Sequence, residues 1–329
     1  MRRLESLIES VIMPPLFTLL KNNIGNNLFN YLREIFSEIT HRLYWRPRRR
    51  RYFEAQSEPF ICVTPNGLRF ALEPGQFVDR YIATEGIYER PFLRFFREAL
   101  PRGSVMIDIG ANIGNHALYL HDHCSVVHCY EPNPTAAARL RHNIELNHAA
   151  NVFVHEIGLG DRDATLPFAS NVEDNLGNSG YLSGQEHWVG AFDTIELPIR
   201  RADAAIGELG LTRIDLIKID VEGLEPQIFS GLTETICRYR PLIAFEFHGQ
   251  RTAAAVFNQI RNSLPNYTIA DMTYAADDSG VVSRFFYHLR HVTRLTLRAI
   301  TTPKVRSYES LLAVPDEHPL RSQVKHSRA

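Results

Sequence analysis

The sequence has little cysteine, and its few cysteines follow no metal-binding spacing. Four of the 329 residues are cysteine, at positions 62, 124, 129 and 237, and no two of them form a C-x-x-C pair. No histidine tract completes a zinc pattern with them. The sequence therefore predicts no zinc site, and we expect free thiols in a reducing cytoplasm.

An excess of charge of either sign is also lacking. Lys and Arg number 36 against 37 Asp and Glu, which gives a formal net charge of -1. Binding to nucleic acid needs a concentrated basic surface, so nucleic acid is not an expected partner. With 44% hydrophobic and 22% charged residues, the composition is ordinary for a soluble globular protein. The length suits one large domain or a domain with extensions.

No hydrophobic run is long enough to cross a membrane. The apolar run over residues 11–20 has only about half of the roughly 20 residues that a spanning helix requires. Pro14 and Pro15 interrupt this run. The opening Met1-Arg2-Arg3 is not followed by a clean signal peptide. We therefore expect no transmembrane helix.

Residues 1–58 form a predicted helical and basic N-terminal extension. Apolar residues recur in it at helical spacing, at positions 28, 32, 35, 36, 39 and 43, ahead of arginines at 46 and 48–51. Two interpretations stay open. The extension either touches an anionic membrane, which would place the protein peripherally at the inner membrane face, or packs on the core with a solvated basic linker.

Residues 59–100 are predicted to form a small lead-in unit. Strands over 60–63 and 68–72 flank Pro65-Asn66-Gly67, which is typical of a hairpin turn. A helical stretch is expected to follow over residues 77–100.

Strands and helices alternate through residues 101–300, the predicted main domain. Such alternation predicts right-handed crossovers and a doubly wound, mostly parallel α/β sheet that is covered on both faces. Residues 301–329 are polar and contain proline, so this C-terminal tail is expected to fray. The predicted strands are 105–108, 126–130, 152–157, 216–220, 242–247, 267–270 and 281–287, and the main helices 114–121, 134–146, 225–232 and 252–264.

A glycine-containing loop between the first strand and its helix marks a cofactor site. It runs from Asp108 through Gly110 and Asn112 to Gly114. Glycines let the backbone turn sharply and approach a ligand closely, and the helix beyond presents free N–H groups. A dinucleotide fingerprint would place another glycine where Asn115 stands. A cofactor without phosphate, such as S-adenosylmethionine, therefore fits better than a nicotinamide dinucleotide.

Two carboxylates in later loops extend this predicted site. Glu131 ends the second strand, where it can accept two hydrogen bonds from a ribose diol. Asp161 follows the third strand, on the expected adenine side, and is either an adenine contact or an ordinary turn residue.

Six segments occur in a fixed order along residues 105–249. They are VMIDIGANIGNHALYL, YEPNP, LRHNIELN, GLGD, DLIKIDVEG and PLIAFEFHG. With these segments the sequence resembles the FkbM family of methyltransferases over roughly residues 79–250. The resemblance implies a class I methyltransferase (Rossmann-like) fold, S-adenosylmethionine as the cofactor, and O-methylation of a sugar, glycan or polyketide-type hydroxyl. Under this resemblance, His116 stands where relatives more often carry an aromatic residue.

Acidic side chains and a histidine follow the fourth and fifth predicted strands. These strands are expected to be neighbours, so Asp220, Glu222, Glu246 and His248 should meet at one edge of the sheet. Either one of them is the general base, with Asp220, Glu246 and His248 as catalytic candidates, or these three hold a divalent cation. Asp220 is preferred because it ends a very apolar strand. Glu222 is alternatively a cap of the next helix.

The polar segment over residues 171–188 is expected to bind a small-molecule or glycan acceptor, or else to be a surface insertion.

Taken together, the cofactor loop, the carboxylates and the resemblance predict an S-adenosylmethionine-dependent O-methyltransferase. The alternatives are an inactive cofactor-binding scaffold and a nicotinamide-dependent oxidoreductase.

Overall fold

The computed structural model describes residues 46–171, 179–181, 192–247, 253–274, 295–301 and 308–325. The predicted strand over 281–287 and most of the N-terminal extension lie outside these residues. Helices are numbered along the described part as α1 Arg46–Glu54, α2 Phe77–Glu85, α3 Arg90–Ala99, α4 Asn115–Leu120, α5 Pro134–Asn147, α6 Ala202–Gly207, α7 Glu225–Gly231, α8 Thr233–Tyr239 and α9 Ala253–Asn262.

Strands occur from the lead-in unit to the C-terminal segment. In chain order they are β1 Phe60–Val63, β2 Arg69–Leu72, β3 Ser104–Ile109, β4 Cys124–Tyr130, β5 Val152–His155, β6 Gly158–Gly160, β7 Ala164–Asn171, β8 Gly180–Tyr181, β9 Phe192–Arg201, β10 Leu216–Ile219, β11 Leu242–Phe247, β12 Tyr267–Tyr274, β13 Leu295–Ala299 and β14 Tyr308–Pro315.

The lead-in unit contains the predicted hairpin, because β1 and β2 pair antiparallel. The predicted helical stretch over 77–100 is two helices, α2 and α3, rather than one. Gly86 separates them with φ 87°, a left-handed conformation that a helix interior does not allow. The arginines at 46 and 48–51 lie within α1 and not in a linker, and Phe53 of this helix is buried in the core.

The main sheet is the predicted doubly wound, mostly parallel α/β sheet of class I methyltransferase type. Its strand order is β13-β12-β14-β11-β10-β3-β4-β5, with β11, β10, β3, β4 and β5 parallel. Alternate side chains of each strand point to opposite faces. Met106 and Leu216 join the core on one face, whereas Ile107 and Ile217 join the core on the other. Both faces are therefore covered, as expected.

The C-terminal segment is part of this sheet, so the prediction that residues 301–329 fray is wrong for residues 308–325. Strand β14 lies between β11 and β12 and pairs antiparallel with both. Leu311 to Val314 are fully buried. A short apolar stretch inside a polar tail suffices here because the strand satisfies its backbone hydrogen bonds on two sides.

A second, smaller sheet covers one side of the cavity described below. Its strand order is β6-β9-β7-β8, and Phe168, Tyr181, Ile199 and Leu224 form its own core cluster. Among the helices of the described residues, none has the length and apolar character that a membrane span requires.

Candidate active site

A cavity opens at the carboxyl ends of the parallel strands, between the main sheet, the lead-in unit and the small sheet. Ligands of doubly wound sheets bind at this edge. The main sheet and its loops contribute Gly110, Asn112, Glu131 and Asp220 to the lining, and the lead-in unit contributes Phe77. The predicted cofactor loop and the predicted catalytic carboxylates therefore share one cavity.

Close packing in the loop between β3 and α4 explains its glycines. Gly110 has φ 82°, and a Cβ there would lie 1.8 Å from the backbone oxygen of Asp220. Gly114 has φ 90° and precedes α4. Asn112, between them, also has a positive φ, 50°, which asparagine tolerates better than most residues. The loop thus brings the backbone against the end of β10, and no other residue type fits at position 110.

Glu131 is buried beneath this loop and is held by backbone donors. Its Oε2 accepts from the N–H of Asn112 at 2.8 Å, and its Oε1 accepts from the N–H of Asn133 at 2.9 Å. Burial raises the pKa of Glu131 to about 7, although these two hydrogen bonds act to lower it. Each carboxylate oxygen retains a second lone pair, so Glu131 can still accept from a hydroxyl in the cavity.

Asp161 is not among the described residues that line the cavity. Its carboxylate lies 3.6 Å from the guanidinium of Arg162, and its side chain is 37% exposed. Gly158 and Leu159 of β6 line the cavity in its place. The predicted adenine contact of Asp161 therefore stays a prediction.

A buried lysine that is not among the predicted site residues pairs with Asp220. Lys218 Nζ donates to Asp220 Oδ2 at 2.8 Å, and Lys218 lies beside Asp108 in the register of β10 and β3. The Lys218 side chain is 6% exposed, against 32% for Asp220. A lysine two residues before Asp220 in an apolar strand points to the same face as Asp220, and this spacing was the available signal.

The two members of this pair keep each other charged. Burial opposes the ionisation of Asp220, but Lys218 holds the pKa of Asp220 below its ordinary value, with help from His116 and a hydrogen bond from Glu246. Burial likewise disfavours the charge of Lys218, yet Asp220, Asp108 and Glu89 raise the pKa of Lys218. At neutral pH the pair is therefore an ammonium and a carboxylate.

The other predicted acidic residues meet Asp220 at this end of the cavity. One oxygen from each of Asp220, Glu222 and Glu246 lies within 4.8 Å of the others, which is close enough for a shared cation. Leu224 occupies the N-cap position of helix α7, and its side chain makes no capping hydrogen bond. Glu222 is therefore not the N-cap residue, and its carboxylate belongs to this cluster. His248 lies outside the described residues, so its predicted role stays a prediction.

His116 also lines the cavity. It is buried on α4, and its Nε2 lies 2.7 Å from Oε2 of Glu89, which precedes α3. This contact ties the lead-in unit to the helix that follows the cofactor loop.

The small sheet provides the opposite wall with Phe168, Ser179 and Tyr181. The hydroxyl of Tyr181 donates to the backbone oxygen of Pro198 at 2.9 Å. Ser179 and Tyr181 belong to the predicted acceptor-binding segment over residues 171–188, most of which lies outside the described residues.

Comparison with known proteins matches the part of the chain that holds most of the cavity lining, but not Phe77, Val78 and Tyr88 of the lead-in unit. A family model described as the methyltransferase FkbM domain matches residues 108–274, about half of the chain. The 31-O-demethyl-FK506 methyltransferase FkbM of Streptomyces tacrolimicus is 33% identical over 199 residues, which are 52% of this chain and 74% of that protein.

Two further relatives match over smaller shares of their length. The AMB antimetabolite synthetase AmbE of Pseudomonas aeruginosa is 31% identical over 61% of this chain, but over only 11% of its own. The 2-O-methyltransferase NoeI of Sinorhizobium fredii is 33% identical over 41% of this chain and 60% of its own. A solved structure of methyltransferase FkbM from Methylobacillus flagellatus KT is 20% identical, with a TM-score of 0.40 over 72% of this chain and 52% of that chain. The sheet order described above, and not this match, therefore establishes the fold.

Proposed function

Because this chain belongs to the FkbM family of methyltransferases, we propose that it moves a methyl group from S-adenosylmethionine to a hydroxyl of a small molecule or glycan. The observation that carries the proposal is the placement of the Glu131 loop and the Lys218–Asp220 pair in one cavity. One end can hold a ribose-bearing cofactor, and the other can take a proton from an acceptor.

The residues at the cofactor end suit S-adenosylmethionine. Asn112 Oδ1 is a buried acceptor without a hydrogen-bond partner among the described residues. Glu131 faces the same space, and its carboxylate can accept from a ribose diol. Residues 110–113 of the loop line the cavity, so a ligand can lie against the loop.

Asp220 is the proposed general base. S-adenosylmethionine supplies the methyl group on a sulfonium sulfur, which becomes a thioether when the methyl group leaves. The Asp220 carboxylate, kept ionised by Lys218, accepts a hydrogen bond from the acceptor hydroxyl. It takes the proton as the new C–O bond forms between the acceptor oxygen and the methyl carbon. The Lys218 ammonium offsets the charge of Asp220, and the proposed reaction uses this pair rather than a divalent cation.

The names of relatives support an oxygen acceptor. One is a 2-O-methyltransferase, one a 31-O-demethyl-FK506 methyltransferase, and one, from Haloferax volcanii, a hexuronic acid methyltransferase. A sugar or polyketide-type hydroxyl is accordingly the proposed acceptor class. The contact of the N-terminal extension with a membrane stays a prediction, since the structure describes only its last residues.

Calorimetry with S-adenosylhomocysteine tests the cofactor proposal. We expect the protein to bind it, and Glu131→Ala to weaken binding by about 1–3 kcal/mol, the usual value of a hydrogen bond to a charged group. Glu156→Ala is a matched control, because Glu156 pairs with Arg141 on the surface. Binding of a nicotinamide dinucleotide without binding of S-adenosylhomocysteine would contradict the proposal and favour an oxidoreductase.

A further inference from the structure

Three aromatic rings of the lead-in unit form a cluster at the cavity wall, the aromatic platform of Phe77, Tyr81 and Tyr88. The ring centroids lie 4.9 Å apart for Phe77 and Tyr81, 5.6 Å for Tyr81 and Tyr88, and 6.3 Å for Phe77 and Tyr88. Phe77 and Tyr88 line the cavity. Phe77 is 36% exposed, so its ring presents an apolar surface that the core does not use.

The platform is fixed to the rest of the site at two points. The side chain of Asn115, next to the cofactor loop, accepts from the Tyr88 N–H at 2.9 Å and donates to the Tyr88 oxygen at 3.0 Å. Helix α2 carries Asp79, which forms a buried ion pair with Arg139 of α5. The Tyr88 backbone and helix α2, which carry these rings, are therefore fixed before any ligand binds, which lowers the entropic cost of binding.

The Arg80 guanidinium restricts the rings from the solvent side. Its central carbon lies 5.5 Å from the Phe77 centroid and 5.9 Å from the Tyr81 centroid, which are cation–π distances. This contact favours a single orientation of the Phe77 ring, which also lines the cavity.

The cavity that Phe77 and Tyr88 line also carries hydrogen-bonding groups. Asn115, His116 and Glu222 line the same cavity, together with Lys218 and Asp220. The three rings are tilted against one another by 49° to 76°, so a ligand packs on the face of one ring rather than on a common plane. An aromatic face in the same cavity as hydrogen-bonding groups suits a molecule with an apolar face and a hydroxylated edge. A sugar ring has this character, whereas a long acyl chain would need a continuous apolar groove.

We infer that Phe77 and Tyr88, supported by the Tyr81 ring behind them, form the acceptor subsite, in which the C–H face of a sugar ring packs on Phe77 while one of its hydroxyls reaches Asp220. The inference rests on the proposed methyltransferase function and narrows its acceptor to a carbohydrate. Phe77 is the residue that determines this specificity, and it acts by binding rather than by chemistry.

Saturation-transfer NMR on the full chain loaded with S-adenosylhomocysteine tests the subsite without turnover. The probes are methyl β-D-glucopyranoside, methyl α-D-mannopyranoside and methyl α-L-rhamnopyranoside. We expect saturation of the ring C–H protons of at least one probe. Phe77→Leu should weaken its binding about three- to tenfold, the range of a single aromatic contact. Phe77→Tyr should restore it, since tyrosine keeps the ring.

Phe153→Leu is the control, because Phe153 is also an exposed aromatic ring, 49% exposed on β5, and is not among the described residues that line the cavity. All three variants should bind S-adenosylhomocysteine as the wild type does. If no probe binds, or if Phe77→Leu and Phe153→Leu bind the probe equally, the subsite is wrong while the cofactor result stands. If the wild type does not bind S-adenosylhomocysteine, the proposed function is wrong, and the subsite is wrong with it.

Discussion

The two ends of the cavity each hold a carboxylate that follows a parallel strand. The pKa values of the two carboxylates are shifted in opposite directions. Glu131 follows β4, where burial raises its pKa to about 7. Asp220 follows β10, where its pKa is lowered despite burial. Glu131 receives two backbone N–H groups, whereas Asp220 receives the ammonium of Lys218.

The two carboxylates occupy equivalent positions at the ends of parallel strands, so the difference in pKa comes from their surroundings. Glu131 is more deeply buried and meets only backbone donors, whereas Asp220 is partly exposed and meets an ammonium. A backbone N–H carries a partial charge, which does not compensate for the lost solvation of Glu131. A full charge at 2.8 Å does compensate for Asp220. The cofactor end thus holds a carboxylate that can become neutral, and the acceptor end one that stays an anion at neutral pH.

The largest effect is expected when the anion at the acceptor end is removed. Asp220→Asn should lower methyl transfer by about 10²–10⁴-fold, the usual contribution of general acid–base catalysis. Binding of S-adenosylhomocysteine should persist, because the backbone at Gly110 and the Glu131 side chain are unchanged. The assay is release of S-adenosylhomocysteine with an acceptor that gains one methyl group by mass spectrometry.

Asp122→Asn, which alters a surface pair with Arg97, is the control and should keep the wild-type rate. A chelator should leave the wild-type rate unchanged if Lys218 is the cation that the cluster uses. A chelator-sensitive rate that added metal restores would instead favour the cation site at Asp220, Glu222 and Glu246. Wild-type turnover in Asp220, Glu246 and His248 variants alike would place the chemistry elsewhere.

A smaller effect, on stability, is expected when the donor at the acceptor end is removed. Lys218→Met should lower the free energy of unfolding by about 3 kcal/mol, because it leaves Asp220 and the buried Asp108 without their cation. We place the loss at the low end of the usual range because Asp220 is partly exposed. Urea denaturation measures it.

Arg213→Met removes the cation of a neighbouring pair, Arg213 with Asp215, in which the arginine is 54% exposed. Its loss should stay below about 1 kcal/mol, as for other surface pairs. Equal losses in the two variants would mean that burial does not distinguish the Lys218 pair from a surface pair.

The smallest expected effect is a pH dependence at the cofactor end. The pKa of Glu131 is raised to about 7 from 4.5, so the ligand-free folded protein holds this proton more tightly than the unfolded chain. This contribution makes folding less favourable as the pH rises from 4.5 to 7. A ribose diol donates to the anion, so affinity for S-adenosylhomocysteine should fall about tenfold from pH 8 to pH 6. Calorimetry at several pH values measures the change.

Glu131→Gln, whose side chain does not titrate, should bind more weakly at pH 8 and show little change down to pH 6. A wild-type affinity that is flat across this range would mean that Glu131 is already ionised in the ligand-free protein, and the contrast with Asp220 would then fail.

The arrangement of the main sheet and of the cofactor loop could be predicted from the sequence because each depends on local patterns. The alternation of apolar strands with helices predicted the parallel sheet, and Gly110 and Gly114 marked the turn between β3 and α4. Asp220, Glu222 and Glu246 are expected at one edge because parallel strands end there together, and all three line the cavity.

Only the tertiary structure decided which partner each of these groups meets. In the sequence, Lys218 is one residue of an apolar strand. In the structure, the register of β10 and β3 places it beside Asp108, and its ammonium donates to Asp220. In the sequence, β14 belongs to a polar tail. In the structure, it pairs on both sides within the sheet. Phe77, Tyr81 and Tyr88 lie within one predicted helical stretch. The break at Gly86 and the hydrogen bonds of Asn115 with the Tyr88 backbone decide how Tyr88 meets the other two rings at the cavity. Periodicity reports the face on which a side chain lies, but pairing between distant segments decides its charge, its burial and its neighbours.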